Sequence, residues 1–153
     1  MKPVLIQSSF QAALLCLLIA GCTGARPADL GVRAGRLAPC PRSPNCVSSQ
    51  SRDPDHAVQP LPFTGTEAQT RDELIRVLLG MKRVLITNDE GDYVRAEFTS
   101  PLFRFVDDVE FWLDESASLV QVRSASRLGY SDMGVNRERI ETIRSLWDEQ
   151  GKK

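Results

Sequence analysis

The sequence predicts an α+β domain of two layers, in which an antiparallel four-stranded meander is flanked by an N-terminal and a C-terminal helix. Three observations indicate this class. Apolar residues recur at helical spacing in residues 70–81, alternate with polar residues in four segments between residues 83 and 127, and return to helical spacing in residues 136–147. Alternation with a period of two is typical of antiparallel strands that have one covered face.

The N-terminal residues have the composition of a bacterial export signal. Residues 1–21 carry one charged side chain, Lys2, and an apolar stretch over residues 12–20, which is shorter than the about 20 residues of a membrane-spanning helix. Residues 18–22, Leu-Ile-Ala-Gly-Cys, resemble the lipobox of bacterial lipoproteins. We therefore expect a signal peptide over residues 1–21 and a diacylglyceryl lipid on the sulfur of Cys22. Simple secretion and an uncleaved anchor are the alternatives.

The residues around Cys22 also predict where the mature chain is held. Two acyl chains anchor a protein to a membrane stably, because each buried methylene contributes about 0.8 kcal/mol. Lipoproteins with an aspartate directly after the cysteine usually stay at the inner membrane, so Thr23 favours the outer membrane, with the domain facing the periplasm. Residues 22–38, rich in Gly, Ala, Arg and Pro, predict a flexible lipidated tether, and residues 39–150 predict a single domain.

Length and charge limit the classes of partner. Removal of residues 1–21 leaves 132 of the 153 residues, enough for one hydrophobic core. The 19 basic side chains fall to 18 while the 20 acidic ones remain, so the mature chain has a net charge near −2. A nucleic-acid partner is not expected, because the chain has no basic patch to neutralise phosphates.

The mature domain retains one close pair of cysteines, Cys40 and Cys46. In an oxidising compartment this pair predicts a structural disulfide, with free thiols or a redox pair as alternatives. Zinc takes four ligands and His56 is the only histidine, so we expect no metal, and no pattern indicates another cofactor. Six of the nine prolines lie in residues 39–65, which predicts an irregular segment that is pinned by the disulfide and adds no central strand.

The first helix has two candidate starts. Thr70 with Glu73 has the pattern of a capping box, and so has Thr66 with Gln69. The apolar stripe of this helix comprises Leu74, Val77, Leu78 and Met81.

The strand-like segments are residues 83–87, 93–99, 103–113 and 119–127, with a turn over residues 88–92. In the third segment one face comprises Phe103, Phe105, Val109, Phe111 and Leu113, and the other comprises Arg104, Val106, Asp108, Glu110 and Trp112. Asp107 falls on the apolar face.

The closing helix is predicted to begin at an Asn136 cap, with Val135 and Ile140 as a hydrophobic staple. Its buried stripe comprises Ile140, Ile143, Leu146 and Trp147. Its exposed face offers two i,i+4 ion pairs, Arg137 with Glu141 and Arg144 with Asp148.

Polar residues concentrate in the last two strands and in the connection to the closing helix. The candidate cluster comprises Asp107, Asp108, Glu110, Arg123, Ser124, Ser126, Arg127, Tyr130, Asp132, Asn136 and Arg137. A buried Asp107 needs a partner, and the available arginines are 123, 127, 137 and 139. One hypothesis is a structural network that fixes the sheet to the closing helix. The other is a recess for a small anionic ligand, because the planar guanidinium suits carboxylate and phosphate alike.

No residue is assigned a catalytic role. Serines 124, 126 and 131 have no histidine base at hand, because His56 lies in the proline-rich segment, and Lys82 is the one lysine available for a Ser-Lys dyad. Asp107, Asp108 and Glu110 could supply carboxylates for acid–base chemistry. An enzyme therefore stays the secondary hypothesis.

Three separated segments carry a family resemblance: residues 40–49 (CPRSPNCVSS), residues 101–113 and residues 123–144. They resemble the bacterial and plastid family called domain of unknown function 1499, over roughly residues 39–148. The resemblance implies a protein that is often exported or lipid-anchored, and it carries over no substrate, cofactor or catalytic residue.

The sequence therefore predicts a lipid-anchored cell-envelope protein whose domain binds a small polar or anionic ligand or an envelope protein. An envelope enzyme that uses the Asp/Arg/Ser cluster and a scaffolding lipoprotein are the alternatives. A ligand site should leave an open recess beside Arg123 and Tyr130, whereas a scaffold should show a filled network and an exposed apolar patch elsewhere.

Overall fold

The computed structural model describes residues 24–150. The predicted signal peptide, Thr23 and the lipid attachment site at Cys22 lie outside the described residues. Within the described part, no helix has both the length and the apolar character needed to cross a membrane.

One antiparallel sheet organises the domain. Its strands are β1 (Cys46–Ser48), β2 (Leu61–Pro62), β3 (Val84–Glu90), β4 (Tyr93–Thr99), β5 (Val106–Asp114) and β6 (Leu119–Ser126). Strands β3 to β6 form the predicted meander, and β1 and β2 both pair with β6 at its outer edge. The α+β prediction is confirmed, and the proline-rich segment adds two short strands at this edge, pinned by the disulfide between Cys40 and Cys46.

Two helices, α1 (Glu67–Leu79) and α2 (Val135–Gln150), cover one face of the sheet, here called the helix face. The core between them buries mostly branched aliphatic side chains, each worth roughly 1.5–3 kcal/mol when fully removed from water. The helices contribute Leu74, Val77, Leu78, Ile140, Ile143 and Trp147, and the sheet contributes Val94, Ala96, Val109, Phe111, Leu113, Val120 and Val122.

Helix α1 uses the earlier of its two candidate starts. The hydroxyl of Thr66 accepts a hydrogen bond from the Gln69 amide at 3.3 Å, and the Gln69 side chain accepts one from the Thr66 amide at 2.9 Å. Thr70 lies inside the helix, fully buried, and its hydroxyl donates to the Thr64 carbonyl at 2.9 Å. The later start was therefore wrong, because Thr70 ties the helix to the preceding chain instead of capping it.

Strand β5 begins at Val106, three residues later than predicted. Arg104 has a φ of +58°, a left-handed conformation that ends the extended chain. The Ser100 amide donates to the Phe105 carbonyl at 2.8 Å and closes a loop over residues 100–105. Phe103 and Phe105 are therefore exposed in this loop, and their predicted place on the buried face was wrong.

Helix α2 begins at Val135, so Asn136 lies within its first turn and is not its N-cap. The Asp132 carboxylate, two residues before the N-cap position, supplies the acceptor instead: it accepts hydrogen bonds from the Gly134 amide at 3.0 Å and from the Asn136 amide at 2.8 Å. The side chain of Asn136 points inward and is fully buried.

The two i,i+4 ion pairs predicted for α2 do not form. Arg144 pairs with Glu141 at 3.1 Å and donates to the carbonyls of Gln59 and Pro60. The reason is tertiary: carbonyls of the proline-rich segment lie within reach of the Arg144 guanidinium and accept its hydrogen bonds.

Residues 24–38 lie against the second face of the sheet, here called the segment face. The Gly31 amide donates to Glu110 Oε1 at 2.8 Å, and the Leu37 amide donates to Gln50 Oε1 at 2.9 Å. Leu37 is buried. The expected tether is thus packed against the segment face over its described part, while Leu85 of β3 stays exposed on that face.

Candidate functional site

The sheet divides the predicted cluster between its two faces. In β5 and β6, Asp107 is paired with Ser126, and Glu110 is paired with Arg123. Successive side chains of a strand point to opposite faces. Asp107, Ser124 and Ser126 therefore lie on the helix face, while Asp108, Glu110 and Arg123 lie on the segment face.

On the helix face, Asp107 is paired with Arg139 of α2. Arg139 Nη2 lies 2.5 Å from Asp107 Oδ2, and Nη1 donates to Ser124 Oγ at 2.9 Å. The guanidinium carbon also lies 4.9 Å from the centre of the Phe98 ring. Arg139 was among the four arginines predicted as possible partners of Asp107, and its position one turn into α2 brings it over the beginning of β5.

Asn136 connects three parts of the chain on this face. Its Nδ2 lies 3.1 Å from the Asn45 carbonyl, 3.0 Å from Ser126 Oγ and 2.8 Å from Asp132 Oδ2. Its Oδ1 accepts from Ser124 Oγ at 2.5 Å. This amide holds the beginning of α2 against β6 and the residue before β1, so its role is structural.

On the segment face, Glu110 is fully buried and its carboxylate accepts three hydrogen bonds. Arg123 Nη1 donates at 2.9 Å, the Tyr93 hydroxyl at 2.8 Å and the Gly31 amide at 2.8 Å. Burial, and then the adjacent Glu110 charge, raise the pKa of Tyr93 above its ordinary value. Arg123 Nε is buried with no hydrogen-bond partner among the described residues.

Arg127 joins the two carboxylates at the end of the segment face. It binds Asp108 through two hydrogen bonds of 2.7 and 2.8 Å, and its Nη2 lies 2.6 Å from Glu97 Oε1. Although burial by itself raises the pKa of Glu97, hydrogen bonds and charges from Arg127 and Arg26 lower it overall. The hydrogen bond to Asp108, followed by that to Glu97, raises the pKa of Arg127 despite its burial.

The remaining predicted residues do not join either network. Tyr130 is exposed in the connection between β6 and α2. Arg137 donates to the carbonyls of Ala57 at 2.6 Å and Asp55 at 2.9 Å, which ties α2 to the proline-rich segment. The predicted cluster is thus mostly occupied by partners from the protein itself.

A recess of about 490 Å³ lies beside the disulfide, and the sequence analysis did not identify it. Its wall includes Arg36, Arg42, Arg52 and His56, and we call it the arginine recess. Among residues 24–150, none of these three arginines forms an ion pair within 4.0 Å. In the sequence, the feature that could have indicated this recess is the presence of three arginines within 17 positions around the disulfide.

His56 is a buried polar side chain of this recess. Its Nδ1 lies 2.8 Å from the Cys46 carbonyl, and its Nε2 lies 4.0 Å from Asp53 Oδ2. A carbonyl only accepts hydrogen bonds, so we assign the proton of the neutral ring to Nδ1, which leaves Nε2 as an acceptor. The arginine recess therefore combines three arginines with a buried imidazole that lies beside the carboxylate of Asp53.

A second recess, of about 350 Å³, lies between α2 and the end of β4 and is lined in part by Lys82, Arg83, Asp107 and Arg139. The donors of Arg139 are already bound to Asp107, Ser124 and Asn136. Neither Arg123 nor Tyr130 lines this recess. The arginine recess therefore offers more uncommitted positive charge.

Comparison with protein families gives one match, to a protein of unknown function (DUF1499), over residues 36–146. Comparison with curated proteins and with solved structures gives no match. The family match starts within the segment that lies against the sheet and ends in the last turns of α2, so it includes the arginine recess and both networks apart from Gly31 and Arg26. Because it spans most of the chain, the protein belongs to the DUF1499 family.

Proposed function

We propose that this protein is a lipid-anchored component of the bacterial cell envelope whose domain binds a small anionic ligand in the arginine recess. The observation that carries the binding proposal is the group of three arginines, Arg36, Arg42 and Arg52, around one concave surface. Guanidinium groups bind carboxylates and phosphates through paired hydrogen bonds. The three arginines have no carboxylate partner in the described part of the chain and outnumber the one carboxylate of the lining, Asp53, so the recess has a net positive charge.

Size and rigidity support this assignment. A volume of about 490 Å³ falls within the roughly 300–1,000 Å³ of small-molecule sites. The disulfide between Cys40 and Cys46 closes the loop that carries Arg42, which restricts that loop before a ligand binds. A preformed wall lowers the entropy that binding would otherwise cost.

The sequence before the described residues supports the anchor. Residues 12–20 provide the apolar part of an export signal and residues 18–22 resemble a lipobox, so Cys22 would carry two acyl chains. By the same resemblance, Thr23 favours the outer membrane, with the domain facing the periplasm.

Titration with anions tests the ligand proposal. Inorganic phosphate, phosphomonoesters and dicarboxylates are added to the purified protein, and binding is measured by calorimetry and by the shift in Tm. We expect Arg42→Gln to weaken binding of the best anion at least about tenfold, equivalent to about 1.4 kcal/mol. Arg76→Gln is the matched control, because Arg76 is exposed on α1 and does not line the recess. Equal affinity after neutralising Arg36, Arg42 and Arg52 together would refute the assignment.

Metabolic labelling tests the anchor. Radiolabelled palmitate should enter the wild-type protein in a Gram-negative host, and Cys22→Ser should abolish the labelling and release the chain from the membrane fraction. A sucrose gradient then separates the two membranes, and recovery with the outer membrane is expected. A wild-type protein that takes up no palmitate would end the lipoprotein proposal.

A further inference from the structure

Large apolar side chains are exposed together at one end of the domain. The loop over residues 100–105 exposes Leu102 (77%) and Phe103 (63%), and the connection from β6 to α2 exposes Tyr130 (76%) and Met133 (96%). Phe105, Leu128 and Val135 are also exposed in these two segments. We call these seven side chains the apolar end. Contiguous exposed apolar surface on a small domain marks a contact with a protein or a membrane.

Sheet pairing places the two segments next to each other. Thr99 is paired with Val106, and Asp107 is paired with Ser126, so the β4–β5 loop and the exit from β6 lie at the same end of the sheet. The Arg127 amide donates to the Val106 carbonyl at 3.1 Å, which joins them directly. The apolar end is therefore one surface formed by two segments.

The chain enters the described domain at this same end. A Cβ atom at position 24 would lie 2.9 Å from Arg127 Cβ and 3.0 Å from Leu128 Cγ, so the Gly24 backbone runs against the apolar end. Cys22 precedes Gly24 by two residues, and two residues span at most about 7 Å. Lipid chains on Cys22 would consequently leave the protein beside Leu128.

Positive charges border the same surface. Arg104 lies in the loop between Phe103 and Phe105 and is exposed. Lys82 and Arg83 are also exposed, and the Arg83 carbonyl accepts a hydrogen bond from the Thr99 amide at 3.0 Å, which places them at this end of the sheet. Basic side chains near an anionic membrane surface are attracted to its headgroups. Two acidic side chains lie at the same end: Asp132, which accepts hydrogen bonds from amides at the start of α2, and the exposed Glu138.

We propose that the apolar end is a membrane-contact surface that rests on the lipid bilayer beside the anchor. Leu102, Phe103 and Met133 enter the boundary between headgroups and acyl chains, while Arg104 stays among the headgroups. This inference rests on the proposed lipid anchor, and it adds a fixed orientation: the turn over residues 115–118, at the other end of β5 and β6, points away from the membrane. A domain held by a lipid alone would have no preferred orientation.

The test uses a fluorescent label on the full-length, processed protein in vesicles of phosphatidylethanolamine and phosphatidylglycerol. Phe103→Cys and, as the matched control, Ala117→Cys are each labelled with an environment-sensitive fluorophore while the disulfide is intact. Both positions are exposed, so neither change disturbs the core. The label at position 103 should shift to the blue and be quenched by lipids that carry a nitroxide at headgroup depth. The label at position 117 should do neither.

The outcomes separate this inference from the anchor proposal. If the protein floats with vesicles while the label at position 103 reports water, the membrane-contact surface is refuted and the anchor stands. If the label is shielded from water but is not quenched by nitroxide lipid, a protein covers the apolar end. This outcome also refutes the membrane-contact surface. If wild-type protein without an added cysteine reacts with the fluorophore, Cys22 is free and the anchor is refuted. In that case the labelled Phe103→Cys protein, which carries no lipid, is added to the same vesicles. If its label still reports water, the membrane-contact surface is refuted as well.

Discussion

Replacing Arg123 with alanine should destabilise the domain by about 3 kcal/mol, because it removes the positive partner of a carboxylate that has no contact with water. The side chains of Arg123 and Glu110 are 6% and 0% exposed, and they meet at 2.9 Å. Removing one member of a buried pair typically costs about 3–5 kcal/mol. We expect the lower end of that range, because Tyr93 and Gly31 continue to donate to Glu110.

Two further variants isolate the contribution of the buried charge. Arg26→Ala is the matched control, because Arg26 is 56% exposed and pairs with Glu97 at 3.1 Å. Such an exposed pair contributes about 0.2–1 kcal/mol. The double replacement of Arg123 by Met and Glu110 by Leu leaves no buried charge behind. It should therefore cost less than Arg123→Ala alone, although it removes more polar contacts.

Urea denaturation followed by tryptophan fluorescence, with the disulfide intact, measures these differences. With a slope of about 1.5 kcal/mol per molar urea, a loss of 3 kcal/mol lowers the midpoint by about 2 M. The control should move it by well under 1 M. If Arg123→Ala shifts the midpoint no more than Arg26→Ala does, the network around Glu110 is not structural, and Arg123 would return as a candidate ligand-binding residue.

Two further predictions concern acid stability and the disulfide. The lowered pKa of Glu97 in the folded state means that its stabilisation is fully present above the ordinary glutamate pKa of about 4.3 and is lost as the pH falls through the lower folded value. Glu97→Gln should therefore flatten the acid side of the urea-midpoint profile, and parallel profiles for the two proteins would contradict this. Reducing the bond between Cys40 and Cys46 should lower the free energy of unfolding by about 2 kcal/mol without unfolding the sheet. Thiol titration before and after reductant checks the bond, and two free thiols in periplasm-derived protein would disprove it.

Local patterns in the sequence were sufficient for the meander and for the composition of its core. The period-two alternation of residues 93–99 coincides with β4, and that of residues 119–127 with β6 to within one residue. The apolar stripe of α2 was also correct, with Ile140, Ile143 and Trp147 buried. These features depend on neighbours within a few positions, which is the range over which side-chain periodicity operates. The boundaries at Phe103 and Asn136 failed because a loop conformation or a distant partner overrides the local pattern. The turn predicted over residues 88–92 was too long, because β3 continues through Glu90.

The sequence by itself determined the disulfide partners, the meander and the face of the sheet on which most strand residues lie. Tertiary structure decided the partners: Asp107 meets Arg139 across the sheet–helix interface, and Arg26 reaches Glu97 over a separation of 71 residues. It also decided that residues 24–38 lie against the segment face of the sheet. Tertiary structure likewise brings together the residues of the arginine recess and those of the apolar end. Such contacts depend on strand register and on the path of the chain between elements. The spacing of residues along one element carries no information about that path.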